Sequence, residues 1–357
     1  MIPLLLVALL GGASAPADEV CFAFTGDLMH HCAQAPAAER AAGGDGYDYR
    51  GSFEHVRGIL SAADLAIGNL ETPVDGVFED HCFPRFSAPP EYLDALADAG
   101  FDVLSVANNH ALDRGSDGLG RTTARVAARG MVPVGSSEVP QASVTVRGVR
   151  VAILAGTERT NRPCERAPCP VMVGDGAALV EAVRAAAGTH DLVLVMLHWM
   201  KEYQEVPDAA SRDLAERLTA VGAHAVVGAH PHVLGDVEAL DLPGRRAFVR
   251  WSLGNFLAAG KSFTTRLAGI DRACFRRTDR GWTLASHDFT ATAIRRDAGV
   301  DRPNVYQPIP LAAALIQCAT KSGPFPVLRN WECAELRWLR EHLDRHPSRE
   351  ALPPATP

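Results

Sequence analysis

Asp27, Glu71, Asn109, His198, His230 and His232 carry oxygen or imidazole donors, and each stands where an apolar run of the sequence ends. The runs are "VCFAFTGDL" (20–28), "DLAIGNLE" (64–71), "FDVLSVANNH" (101–110), "DLVLVMLHW" (191–199) and "HAVVGAHPH" (224–232). Carboxylate oxygens with neutral imidazoles and no thiolate suit Zn, Mn or Fe(II) better than Ca or Mg. A catalytic zinc needs three protein ligands and a water, so six donors exceed one ion. Two divalent ions, Mn, Zn or Fe, bridged by a carboxylate are therefore expected. Such a pair can activate a water and clamp a phosphoryl oxygen. His230 and His232 flank Pro231, so two imidazoles on one tight turn can share one ion or hold neighbouring ions.

The elements that must position these groups read as alternating strands and helices. Continuous apolar runs of this length fit strands buried on both faces. Between them, 89–100, 115–130, 174–188 and 207–222 stripe their apolar residues at helical spacing and stop at Gly100, Gly130, Gly188 and Gly222, the residue that most easily closes a helix. Strand–helix alternation predicts an α/β layered fold, in which ligands bind beyond the carboxyl ends of strands. Segments 142–155, 233–250 and 281–296 read as antiparallel pairs, so the sheets are mixed. The stretch 297–330 is interrupted by prolines, and 330–346 is an amphipathic helix carrying Leu336, Leu339 and Leu343.

The chain has 357 residues, 47% of them hydrophobic, enough for one large core with an appendage. Its net charge of −7 gives no basic footprint, so no nucleic-acid partner is expected. Residues 1–17 pair a short apolar run, Leu4–Leu10, with small residues and A-x-A sites, which is the pattern of an export signal. The protein is expected to be secreted or periplasmic, or held peripherally at a membrane by an uncleaved N-terminal segment. Eight cysteines in an oxidising compartment predict disulfides. Cys164 with Cys169, and Cys318 with Cys333, are the local pairs.

The ordered set "GDLM" (26–29), "GNLETP" (68–73), "ANNHALDRG" (107–115), "HWMKEY" (198–203), "GAHPHV" (228–233) and "SLGNF" (252–256) resembles the CapA-like family. That family is associated with poly-γ-glutamate capsule synthesis and related to calcineurin-like metallophosphoesterases. The resemblance implies a four-layer α/β/β/α sandwich of the metallophosphoesterase type with mixed sheets and a dinuclear site between them. It makes Asp27, Glu71, Asn109, His198, His230 and His232 the ligands, with Glu71 at the bridging place. His110 becomes the general acid or transition-state stabiliser. Three departures stand out: Met29 replaces a histidine found in the wider superfamily, Glu71 stands where that superfamily has a bridging aspartate, and Met200 stands where glycine is common.

Asp113, Glu202, Tyr203 and Asn255 are the expected substrate-binding residues, Asp113 also serving to hold the His110 loop. Histidines 55, 81, 190, 224, 287, 342 and 346 read as surface or capping residues. "GNFLAAGKS" (254–262) misses the phosphate-loop spacing by one residue, and no G-x-S-x-G elbow is present. The expected function is an exported metal-dependent hydrolase acting on a phosphoester in capsule or envelope polymer metabolism, beside capsule-synthesis membrane proteins. The alternative is a non-catalytic accessory protein that binds poly-γ-glutamate or another anionic polymer. The expected domains are a signal over 1–17, a metallophosphoesterase-like domain over 18–300 and a packed C-terminal extension over 301–357.

Overall fold

A computed structural model describes residues 6–7, 17–76, 82–165, 169, 171, 176–260, 262–297, 305–325 and 328–352. The expected export signal therefore lies mostly outside the described residues, as do His81, Lys261 and the final "PPATP".

The chain opens with β1 (Glu19–Leu28), then α1 (Ala35–Ala41), β2 (Leu65–Leu70), α2 (Glu91–Ala99), β3 (Val103–Ser105), α3 (Gly115–Ala127) and β4 (Val132–Val134). A hairpin, β5 (Gln141–Val146) and β6 (Val149–Thr157), leads through α4 (Ala177–Ala187) to β7 (Leu192–His198), α5 (Ala209–Ala220) and β8 (Ala225–Ala229). A second hairpin, β9 (Val237–Leu242) and β10 (Arg245–Arg250), precedes β11 (Asn255–Leu257), β12 (Leu267–Thr278), β13 (Gly281–Asp297) and β14 (Val305–Pro310). Helices α6 (Leu311–Thr320) and α7 (Asn330–Asp344) follow.

Two mixed sheets result. The first runs β5-β6-β7-β8-β10-β9, with Leu6–Val7 paired to β5 at its edge; β6, β7, β8 and β10 are parallel. The second runs β14-β13-β12-β1-β2-β3-β4, with β11 paired to β1; β1 to β4 are parallel. Strand alternation shows how they stack. In β7, Leu192, Leu194 and Met196 enter the core between the sheets, while Val193, Val195 and Leu197 face outward onto α4 and α5. Phe24 of β1 stacks on Phe248 of β10 across the interface, ring centroids 6.2 Å apart. Helices lie outside both sheets, which gives the expected α/β/β/α order.

All eight cysteines are paired: Cys21–Cys274, Cys32–Cys82, Cys164–Cys169 and Cys318–Cys333. The last two match the local pairs read from the sequence. No helix among the described residues is long and apolar enough to cross a membrane.

Two histidines depart from the surface reading. His224 is buried, with Nδ1 accepting from Val193 N–H at 3.2 Å, and burial pushes its pKa down to about 3. His287 is buried against Asp271. Each satisfies a polar atom inside the fold, which sequence periodicity does not report.

Candidate metal centre

Parallel strands deliver the site. Asp27 ends β1, Glu71 follows β2, Asn109 and His110 follow β3, His198 ends β7 and His230 follows β8. The first three strands are neighbours in one sheet and the last two in the other, so their carboxyl ends face one crevice. Close backbone packing sets the depth. A Cβ at Gly26 would lie 1.9 Å from the Gly254 carbonyl oxygen, so only glycine lets the turn before β11 sit against Asp27. Asp27 N–H donates to that carbonyl at 2.9 Å.

The structure brings all six expected ligands together, each at most 8% exposed. His198 Nε2 lies 3.0 Å from Asn109 Oδ1 and 3.5 Å from Glu71 Oε1. His232 Nε2 lies 3.8 Å from the same Glu71 oxygen, and its Nδ1 donates to Asp27 Oδ2 at 2.9 Å. The rings of His198 and His230 are 4.5 Å apart. Two triads have ligand atoms within 4.8 Å of one another, Glu71–His198–His230 and Asp27–Glu71–His232, and Glu71 is common to both.

Electrostatics sharpen the picture. Both Glu71 carboxylate oxygens and His230 Nδ1 are buried without a hydrogen-bond partner. Burial, and next the negative charge of Asp27, push the Glu71 pKa well above the usual carboxylate range. Burial alone would raise Asp27 too, but the hydrogen bond and charge of His232 hold it below its ordinary value. Burial lowers His198 strongly, aided by His230, and takes His230 down to about 4. Those two imidazoles are thus neutral, the form that ligates metals. Burial would lower His232 as well, but the hydrogen bond and charge of Asp27 outweigh it and raise the pKa. A buried carboxylate with two empty oxygens is costly by itself. Divalent cations fit this donor set of carboxylates, imidazoles and an amide oxygen.

Backbone strain surrounds the crevice. His230 (φ 94°), His232 (φ 58°), Met200 (φ 67°) and Tyr203 (φ 64°) all occupy left-handed conformations that side chains disfavour. Met200 stands where glycine is common in the resembling family, and its positive φ gives the physical reason for that preference.

His110 borders the cleft beside the ligands, with its ring against Phe86 at 4.7 Å. Its Nδ1 donates to Asp113 Oδ2 at 2.7 Å, and that oxygen also accepts Phe86 N–H at 2.8 Å. Asp113, expected to bind substrate and to hold the His110 loop, is 2% exposed and contacts His110 directly. Glu202, Tyr203 and Asn255 do line the cleft, whose volume is about 490 Å³, with Met29, His31, Phe83 and Phe86.

Asn69 was missed. Its Nδ2 donates to Asp27 Oδ1 at 2.8 Å and lies 3.2 Å from His198 Nδ1, so it ties a ligand of one sheet to a ligand of the other. A signal existed: Asn69 is two residues before Glu71 and shares its strand face. Asn108 was also missed. It accepts His110 N–H at 3.1 Å and donates to Leu70 O at 2.8 Å, bracing the two ligand-bearing turns.

Residues 21–259 match the family described as Bacterial capsule synthesis protein PGA_cap. The chain belongs to that family. Among PGA_cap relatives, the PGA biosynthesis protein CapA of Bacillus subtilis is 27% identical over 296 residues, covering 79% of this chain and 75% of the relative. Capsule biosynthesis protein CapA of Bacillus anthracis is 32% identical over 233 residues, covering 59% of this chain and 54% of the relative. The chain thus spans about half the length of the anthracis protein. Among solved structures, the calcineurin-like phosphoesterase YfkN from Bacillus subtilis aligns with 91% of this chain and 100% of its own, at 14% identity and a TM-score of 0.46. The family match covers every ligand position and stops two residues past β11.

Proposed function

We propose that this protein is an exported, metal-dependent hydrolase of phosphoesters that acts on capsule or cell-envelope polymer. The observation that carries the reading is Glu71. Its carboxylate belongs to both donor triads, is fully buried, and has no hydrogen-bond partner, only the His198 and His232 imidazoles at 3.5 and 3.8 Å. A place shared between two cations would make that arrangement favourable. Asp27 and His232 would hold one cation, and Asn109, His198 and His230 the other, with Glu71 shared. Bound there, two divalent cations supply positive charge against a phosphoryl oxygen and a water acidified toward neutral pH.

The chain's own groups do the rest. Asp113 fixes the His110 tautomer by accepting from Nδ1, so Nε2, 3.4 Å from Asn161 Nδ2, is the unprotonated nitrogen of the neutral ring. When protonated, that Nε2–H can donate to the leaving-group oxygen. Phe86 packs on the His110 ring and restricts its swing. Asn69 holds Asp27 and His198 in register across the two sheets. Four disulfides suit an oxidising compartment, which supports export.

The test is His110→Ala, which leaves all six ligands in place. Turnover of a phosphoester panel should fall about 10²- to 10⁴-fold, with cation content unchanged. A fully metal-loaded wild type that turns over no phosphoester on the panel ends the hydrolase reading. It would favour an accessory protein that binds anionic polymer through the same cations.

A further inference from the structure

We infer that Glu202 is itself a cation ligand, acting with His230 and His232. The inference rests on the dinuclear reading above and assigns Glu202 a role other than holding substrate. Met29 also lines the cleft but offers only a thioether, and oxygen and imidazole donors suit Mn, Fe or Zn better than that sulfur.

Glu202 supplies such a donor from the facing loop. Its carboxylate and the imidazoles of His230 and His232 have ligand atoms within 4.8 Å of one another. His230 in that group is 3% exposed, with Nδ1 lacking a partner. The loop holds Glu202 in this place. Tyr203 N–H donates to the Pro231 carbonyl at 2.7 Å, which ties the loop to the His230–His232 turn. Met200 N–H donates to Glu158 Oε2 at 3.2 Å, and Arg159 donates to the Met200 carbonyl. The left-handed conformations at Met200 and Tyr203 lie on either side of Glu202. A loop that only covered a cleft would not need strain on both sides of one exposed carboxylate.

The test measures cation stoichiometry, not turnover. Chelator-stripped protein is dialysed against graded MnCl₂ and assayed for bound manganese. Wild type should take up two ions per chain. Glu202→Gln should keep one, with affinity for the other reduced at least about 10-fold, the loss that even outer partners of a metal site cause. Glu202→Gln that retains two ions at wild-type affinity overturns the inference alone. Wild type that takes up no manganese, zinc or iron overturns the dinuclear reading and the inference with it.

Discussion

Two clusters of carboxylate and imidazole lie buried in this protein, and they are completed differently. In the first, Asp27, Glu71, His198, His230 and His232 crowd the crevice, yet both Glu71 oxygens and His230 Nδ1 have no hydrogen-bond partner. In the second, Arg250 of β10 reaches from one sheet to Asp271 of β12 in the other. Its Nε and Nη2 donate to the two Asp271 oxygens at 2.6 Å, and His287 Nε2 adds a bond at 2.7 Å. Arg250 Nη1 donates to the carbonyls of Gly235 at 2.9 Å and Arg349 at 2.8 Å. Both charges are 0% exposed, and every guanidinium nitrogen is used. The backbone differs as well. Arg250 and Asp271 sit in regular strands, whereas two crevice ligands hold left-handed conformations. A cluster that closes on itself holds the fold together. A cluster left open, on strained backbone, is organised for something the chain does not contain.

The largest test of that contrast is Asp271→Ala. It strands a fully buried guanidinium, so urea unfolding should show a loss of about 3–5 kcal/mol. Cation binding per folded molecule should not change. A loss under about 1 kcal/mol would erase the distinction between the two clusters, since even an exposed pair can contribute that much.

Glu71→Gln should behave in the opposite sense. It removes a buried carboxylate that has no hydrogen-bond partner in the cation-free protein. The stripped variant should match the wild type or exceed it by about 0.5–2 kcal/mol, as site residues often do when replaced. In wild type, Mn²⁺ at 100 times its Kd should add about 2.7 kcal/mol to unfolding stability. That increment should disappear in Glu71→Gln. A stripped variant clearly less stable than wild type would make Glu71 a structural residue and break the comparison.

The two clusters were not equally legible in the sequence. The crevice ligands could be read because parallel strands deliver their carboxyl ends to one place, and each apolar run ended in a donor. Asn69 was harder, because it acts across a strand pairing to Asp27, and no periodicity encodes the turn at Met200 that precedes Glu202. The Arg250–Asp271–His287 cluster was invisible, because its partners meet only when two sheets stack. Cys21–Cys274, separated by 253 residues, was hidden for the same reason. Strand β14 was obscured by Pro308 and Pro310, which a sheet edge tolerates because the outer backbone N–H groups need no ladder partner.

Acidification gives the smallest and most specific test. Burial alone would raise the Asp271 carboxyl. The positive charge of Arg250, then the hydrogen bonds from His287 and Arg250, hold it below its ordinary value. A carboxyl depressed in the folded state stabilises fully above its unfolded pKa of about 3.9 and loses that contribution as pH falls through the folded value. The stability gap between wild type and Asp271→Asn should therefore stay level from about pH 8 down to about pH 5 and shrink below about pH 4. Urea midpoints across that range measure it. A gap that already changes between about pH 8 and about pH 5 would place the titration at a group other than Asp271. The second cluster would then be a proton-sensitive site in its own right, and not the inert counterpart of the crevice.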